Sequence, residues 1–142
     1  MDPKGLLHAL QALQAGYCDR TGVELVLDHR GADLSLSVDQ ELQVFHVVQE
    51  ALANVVKHSH ARKAQVSIVP GAQHIEIVIE DDGEGLRPDV VASPGAPHFG
   101  LEIMRERAQR LGGSLSIRAR EGGGTRVQLS IPRIGAEAGP PP

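Results

Sequence analysis

The spacing of apolar residues changes from helical to alternating between residues 56 and 64, and this change limits the folds that the 142-residue chain can adopt. Ser37 and Gln40 match a capping box, which predicts the start of a long helix. The predicted apolar face of that helix consists of Leu42, Phe45, Val48, Leu52, Val55 and Val56. Two alternating segments, 64–69 and 73–80, then predict a hairpin. A long helix followed by antiparallel strands favours helices packed on a sheet.

The segments on either side of this unit extend the pattern. Apolar residues at helical spacing predict an N-terminal helix region that ends by residue 22. A strand is predicted at 23–28, with a short hairpin partner at 34–36. Towards the C-terminus, a helix is predicted from Gly100, closed by a left-handed cap at Gly112-Gly113. A last hairpin is predicted around the turn "EGGGT".

Together these elements predict an α+β fold. We expect a two-layer α/β sandwich, in which a mixed, mostly antiparallel sheet is covered on one face by helices. The ordered domain is predicted to span residues 20–132, preceded by an N-terminal helix within 1–19 and followed by a disordered tail at 133–142.

Composition excludes several classes of function. The formal net charge is −4 and only 2% of residues are aromatic, so nucleic acid is not expected as a direct partner. The single cysteine, Cys18, cannot form an internal disulfide. No apolar run reaches the roughly 18 residues of a membrane-spanning helix, so we expect this part of the protein to be soluble and cytoplasmic.

A polar ridge is predicted on the long helix. At 100° per residue, Glu50, Asn54 and Lys57 lie within about 60° of each other, on the side opposite the predicted apolar face. An ordinary solvated helix face would explain the ridge. Asparagine is unfavourable inside a helix, however, because its side chain competes for backbone hydrogen bonds, and this favours a functional role.

The second candidate feature is "EDDGEG", where Asp81, Gly83 and Gly85 follow a strand. A strand-ending turn would account for aspartate and glycine at these positions. The phosphate-binding loops known for glycine-rich motifs do not match: no P-loop pattern is present, and Pro88 occupies the position of the third glycine of a dinucleotide fingerprint.

Two further features complete the set. Residues 87–98 form a predicted loop of functional length, after which Gly100 would open a helix whose N-terminus can bind an anion. Residues 122–125 read most simply as a hairpin turn. An amide and a carboxylate on one helix, a carboxylate at a strand end, an anion-binding helix start and a Gly-Thr turn together meet the needs of a magnesium nucleotide.

Four segments in this order, "QEALANVVKHSHA", "DDGEG", "HFGLEIMRERAQRLGG" and "GGGTRVQLSIP", resemble the catalytic ATP-binding domain of bacterial sensor histidine kinases. The nitrate/nitrite-sensor subgroup is most similar, and shares the reduced glycine content of "PHFGLEI". The resemblance covers about residues 20–132. It implies the Bergerat fold of the GHKL ATPases, which include gyrase and the MutL proteins, with ATP and Mg²⁺ as cofactors.

The resemblance also implies roles for individual residues. Asn54 would hold Mg²⁺ between the phosphates, and Glu50 would orient the metal shell or act as a base. An ionised Asp81 only accepts hydrogen bonds, so it would bind the amino group of adenine and repel the carbonyl of guanine. The remaining candidate nucleotide-binding residues are Lys57, Gly83, Gly85, Gly100, Leu101, Arg105 and Thr125.

The family transfers the γ-phosphate of ATP to a histidine on a dimerisation domain, which passes it to a response regulator with a helix-turn-helix output. The parent protein would be a membrane-anchored homodimer. None of the seven histidines here lies in the acceptor motif, and His8 is predicted to pack in an apolar helix. The alternatives are a serine kinase of the anti-sigma-factor type, a module that binds ATP without transferring phosphate, and, less favoured, a gyrase- or MutL-like ATPase.

Overall fold

The computed structural model describes residues 5–29, 36–84 and 101–132. Several predicted features lie outside these residues. They are the helix start at residues 2–4, the first residues of the hairpin partner at 34–36, Gly85, the loop at 87–98, Gly100 and the tail at 133–142.

Four α-helices form in the described residues: α1 (Gly5–Gln14), α2 (Tyr17–Thr21), α3 (Val38–Asn54) and α4 (Leu101–Arg110). The predicted N-terminal helix region is interrupted at Gly16, which has a left-handed φ of 72° that a continuing helix cannot accommodate. Tyr17 therefore begins a separate helix and is buried. His8, which was predicted to pack in an apolar helix, is instead exposed on α1.

The same described residues form five strands: β1 (Glu24–Asp28), β2 (Lys63–Pro70), β3 (His74–Asp81), β4 (Ser114–Ala119) and β5 (Thr125–Pro132). They form one sheet in the order β1-β2-β3-β5-β4. Only the β1–β2 pair is parallel, so the predicted mixed, mostly antiparallel sheet is confirmed. Leu36, the one described residue of the predicted hairpin partner, lies outside any strand, and β1 pairs in parallel with β2 across the α3 connection.

One face of the sheet carries the core. Alternate side chains of the three central strands point towards the helices, and all are nearly inaccessible to solvent: Ala64, Val66, Ile68, Ile75, Ile77, Ile79, Val127, Leu129 and Ile131. Full burial of an aliphatic side chain of this size stabilises a fold by about 1.5–3 kcal/mol. The two-layer arrangement follows from this one-sided core, because the helices cover the face that these side chains share.

Helix α3 supplies most of the opposing surface. Its capping box forms as predicted, since the Gln40 N–H donates to Ser37 Oγ at 3.0 Å and the Ser37 N–H donates to Gln40 Oε1 at 2.9 Å. The buried face is rotated from the prediction, however, because Leu42 and Val56 are each 41% exposed. The side chains in the core are Val44, Val47, Val48, Ala51, Leu52 and Val55.

Helix α1 packs on α3 as part of the same core. Leu6 and Leu10 are almost fully buried, and the Leu6 N–H donates to Glu41 Oε2 on α3 at 3.0 Å. At the opposite end of the chain, α4 ends in the predicted cap: Gly112 has φ 71°, and the Gly113 N–H donates to the Ala108 carbonyl at 3.0 Å.

Candidate functional site

A small cleft of about 20 Å³ lies where the end of α3 meets the start of α4 and the ends of β3 and β5. Four of the residues predicted to bind a nucleotide line it together, although they are far apart in the sequence: Asn54, Asp81, Leu101 and Thr125. The apolar side chains of the core form the remaining wall, and they are Ala51, Val55, Ile79 and Val127.

Asp81 is the last residue of β3, and the alternation of that strand turns its side chain to the helix layer. The residue is 5% exposed. Its Oδ1 accepts a hydrogen bond from the Gly83 N–H at 2.8 Å, which closes a tight turn after the strand. Burial raises the pKa of the Asp81 carboxyl above its ordinary value of 3.8, and hydrogen bonds from the Gly83 and Thr125 backbone lower it only in part. A carboxylate held at a desolvated position is suited to accept a hydrogen bond from a ligand.

The β4–β5 turn approaches Asp81 very closely. Gly124 has φ 103°, and a Cβ atom on it would overlap the backbone carbonyl of Asp81. Thr125, the next residue, is buried beside the cleft. The sequence predicted this segment as a turn but gave Gly124 no role. The run of three glycines was the available signal, but it did not indicate which glycine the fold requires.

Asn54 occupies the last α-helical position of α3, directly before a single π-helical turn, Val55–Ser59. Such turns are frequent at functional sites. The residue is half-buried and faces the cleft, so the prediction that it lies opposite the core was wrong. It sits at the edge of the core face because that face is centred on Val47 and Ala51.

The other polar residues predicted for the site do not line the cleft. Glu50 is half-buried one turn before Asn54, Lys57 is exposed in the π turn, and Arg105 is exposed on α4. Gly83 contributes its N–H to Asp81 and does not line the cleft itself. Leu101 begins α4 and is buried in both the core and the cleft wall.

The metal-ligating side chains at the cleft fit a magnesium ion that arrives bound to a nucleotide better than a metal ion held by the protein alone. Within the described residues, no group of three or more His, Cys, Asp and Glu side chains could hold a metal ion. Asn54 lines the cleft, and the oxygen of its side-chain amide is a hard ligand of the kind that Mg²⁺ prefers. Mg²⁺ usually keeps several waters and takes one or two protein ligands together with phosphate oxygens, so one amide is compatible with such a site.

Comparison with known proteins identifies the class. Residues 39–134 match the family of histidine kinase-, DNA gyrase B- and HSP90-like ATPases, and the chain belongs to this family. It is 37% identical over 133 residues to the nitrate/nitrite sensor protein NarQ of Escherichia coli, covering 91% of this chain and 22% of NarQ. The resemblance to the catalytic domain of nitrate/nitrite-sensor-like kinases is thereby confirmed.

Two further relatives agree with this assignment. The sensor histidine kinase LiaS of Bacillus subtilis is 31% identical over 139 residues, covering 98% of this chain and 37% of LiaS. The ATP-binding domain of PrrB from Mycobacterium tuberculosis has a similar structure, with a TM-score of 0.68 and 28% identity, covering 89% of this chain and 93% of that domain. The chain therefore spans about a fifth of NarQ but nearly the whole length of an isolated ATP-binding domain.

No helix among residues 5–29, 36–84 and 101–132 has the length and apolar character needed to cross a membrane.

Proposed function

We propose that this ATP-binding kinase domain binds Mg-ATP in the described cleft and donates the γ-phosphate to a histidine on a separate dimerisation domain. The observation that carries the proposal is the buried carboxylate of Asp81, which faces a cleft shared with Asn54 and Thr125. The desolvated Asp81 carboxylate can accept a hydrogen bond from an amino group on a base, and the Asn54 amide can bind the magnesium ion on a phosphate chain. Together they match the two ends of a nucleotide.

Adenine selectivity follows from the chemistry of Asp81. The Gly83 N–H occupies one side of Oδ1, which leaves the carboxylate able to accept a further hydrogen bond. Adenine presents an amino donor at its six-position, whereas guanine presents a carbonyl oxygen that would face a carboxylate. Gly124 supports this arrangement, because its lack of a side chain lets the β4–β5 turn close against Asp81.

We assign the phosphate end of the site to Asn54, Glu50 and Lys57, together with Leu101 and Arg105 of α4 and Gly100, which precedes Leu101 in the sequence. Asn54 would coordinate Mg²⁺, which neutralises charge on the transferring phosphate. Glu50 would act one turn earlier, by orienting metal-bound water or the acceptor. Gly85 would complete the base-binding turn begun by Asp81 and Gly83.

The partners follow from the reaction class. The acceptor would be the dimerisation and phosphotransfer domain of the same kinase, and the phosphate would pass to a response regulator with a helix-turn-helix output. We propose a membrane-anchored homodimeric parent with this domain in the cytoplasm. The N-terminal helix, which we propose leads from the dimerisation region, packs on α3 through Leu6 and Leu10.

Two measurements test this proposal. Calorimetric titration with ATP, ADP and GTP, with and without Mg²⁺, should give tight binding for the adenine nucleotides only. Incubation with radiolabelled ATP should leave the chain unlabelled until an acceptor domain is added, because in-line positioning of the acceptor supplies much of the rate. Label on serine would favour the serine kinase, and binding without transfer would favour an interaction module. Rapid acid-labile self-labelling, especially if lost in H8A, would contradict the need for a separate acceptor.

A further inference from the structure

Asp82, the second aspartate of "EDDGEG", makes contacts that the proposed nucleotide site does not use. Its side chain is exposed and does not line the cleft. Its Oδ1 accepts two backbone hydrogen bonds, from the Arg62 N–H at 2.9 Å and the Lys63 N–H at 3.0 Å. Its own N–H donates to the Lys63 carbonyl at 3.2 Å. Three hydrogen bonds therefore join Asp82 to one pair of residues.

These bonds lengthen the contact between β2 and β3 at the edge of the cleft. The register of the two strands ends at the pair Ala64 and Asp81. Beyond that pair, the Asp82 carboxylate takes the place of a ladder partner for Arg62 and Lys63. Both hydrogen bonds favour the charged carboxylate, and they lower the pKa of Asp82 below its ordinary value.

A second contact joins the same two segments. His60 ends the π turn in a left-handed conformation with φ 54°, and its Nδ1 lies 2.9 Å from Glu84 Oε2. Both side chains are largely exposed, so this pair alone contributes little to stability. Segment 82–84 therefore contacts segment 60–63 at both ends, through Glu84 at His60 and through Asp82 at Arg62 and Lys63.

Neither of the joined segments lines the cleft, but each is continuous in sequence with residues that do. Residues 60–63 continue directly from the π turn that follows Asn54, and residues 82–84 follow Asp81. A displacement between them would therefore change the separation between the amide of Asn54 and the carboxylate of Asp81. A rigid nucleotide bridging both groups is sensitive to such a change, because misplacement of a ligand group weakens binding.

We infer that Asp82 is a positioning residue, which holds the Asn54 end of α3 at a fixed distance from Asp81 by binding the backbone of Arg62 and Lys63. This inference rests on the proposed function of the cleft. It assigns Asp82 no contact with the nucleotide, and it separates the roles of the two adjacent aspartates: Asp81 binds the base and Asp82 aligns the two halves of the site.

The test compares D82A, which removes the acceptor, with D82N, whose amide oxygen can still accept the backbone hydrogen bonds. Asp19, an exposed aspartate on α2, provides the matched control D19A. Each variant is titrated with Mg-ATP and with adenosine, which reaches only the base-binding half of the site. Amide hydrogen exchange at Arg62 and Lys63 reports the hydrogen bonds directly.

We expect D82A to weaken Mg-ATP binding by about tenfold, as the loss of a charge-assisted contact typically does, and to change adenosine binding by less than about twofold. D82N should restore most of the Mg-ATP affinity, and D19A should match the wild type. Equal losses for both ligands, no loss, or no rescue by D82N would overturn the positioning role. If the wild type bound neither ligand, the proposed function would fail. Even then, amide exchange at Arg62 and Lys63 that is faster in D82A than in the wild type and D82N would establish the hydrogen bonds of Asp82.

Discussion

The α-carbon of Gly124 lies so close to the backbone of Asp81 that a single added methyl group would overlap the Asp81 carbonyl oxygen. The contact fixes the β4–β5 turn against the end of β3. It also places Thr125 beside the Asp81 carboxylate, to which the Thr125 backbone contributes a hydrogen bond. One side of the cleft is thus held by backbone contacts, and it varies little with side-chain rotamers.

The first prediction compares two glycines of that turn. Gly122 and Gly124 both have positive φ, 89° and 103°, but a Cβ on Gly122 would meet no atom within 4 Å. Gly122→Ala should cost only the backbone strain, about 1–3 kcal/mol in free energy of unfolding. Gly124→Ala should cost more and should also weaken ATP binding. Urea unfolding and calorimetry measure both effects, and equal costs for the two variants would refute the steric role of Gly124.

The second prediction concerns the base. Asp81→Asn preserves the shape but removes the charge and can present an amide donor to the ligand. ATP affinity should fall by roughly tenfold to a hundredfold, since charge-assisted hydrogen bonds contribute about 1.5–3 kcal/mol. Discrimination against GTP should fall with it. Calorimetry of both nucleotides, with D19N as the control, makes the comparison, and wild-type ATP affinity in D81N would show that the assignment of Asp81 is wrong.

The third prediction is a pH dependence with a defined sign. Because burial raises the pKa of Asp81, the folded protein binds this proton more tightly than the unfolded chain. The protonated Asp81 carboxyl contributes fully to the free energy of unfolding below pH 3.8. This contribution is lost as the pH rises through the raised pKa of Asp81 in the folded state. D81N, which resembles the protonated form, should therefore be more stable than the wild type at neutral pH. The difference should vanish in acid.

Urea unfolding of the wild type and D81N between about pH 3 and pH 7 measures this difference. Asp82 titrates with the opposite sign, since its lowered pKa stabilises the fold above pH 3.8 and this stability is lost as the pH falls through the folded-state pKa. Asp82 is present in both proteins, so the comparison removes its own hydrogen-bond contribution and leaves the burial of Asp81 together with the repulsion between the two carboxylates. A difference that grows towards low pH would contradict the burial of Asp81.

The fourth prediction concerns the metal. Asn54→Ala should remove most of the Mg²⁺ dependence of ATP binding and leave the fold intact, because alanine is a better helix former and Asn54 lies at the edge of the core. Gln49→Ala, at an exposed position on the same helix, is the control. Binding is measured with and without Mg²⁺, and helicity by circular dichroism. An unchanged Mg²⁺ effect would move the metal site elsewhere, and unfolding would assign Asn54 a structural role.

Much of this architecture could be predicted because it depends on local pattern. The alternation that ends at Asp81 predicted which side chains of β3 point towards the helices. The capping box predicted the start of α3, and Gly112 predicted the end of α4. Asn54, Asp81, Leu101 and Thr125 were predicted together from the order of their motifs. The structure brings all four to one cleft.

The remainder depends on neighbours that local pattern does not reveal. The buried face of α3 is decided by the helices on either side of it, so the larger Leu42 is exposed while Val44 and Val47 are buried. The parallel partner of β1 is reached through a whole helix. Similarly, Gly124 and Gly122 look alike in sequence, and only the position of Asp81 distinguishes them.

The strand order has a consequence for how the chain folds. The β2–β3 and β4–β5 pairs join neighbouring segments, whereas the β3–β5 pair joins residues as distant in sequence as His74 and Pro132. Closing that long loop costs chain entropy before any contact compensates for it. We therefore expect the docking of two preformed hairpins to limit the refolding rate. In stopped-flow experiments, Ile77→Ala would slow refolding, whereas Leu10→Ala on α1, outside both hairpins, would mainly accelerate unfolding; the reverse pattern would contradict this order of events. Until the hairpins meet, the isoleucine-rich edge of β3 remains open to pairing with another chain, which makes rapid docking the step that protects the nascent domain from aggregation.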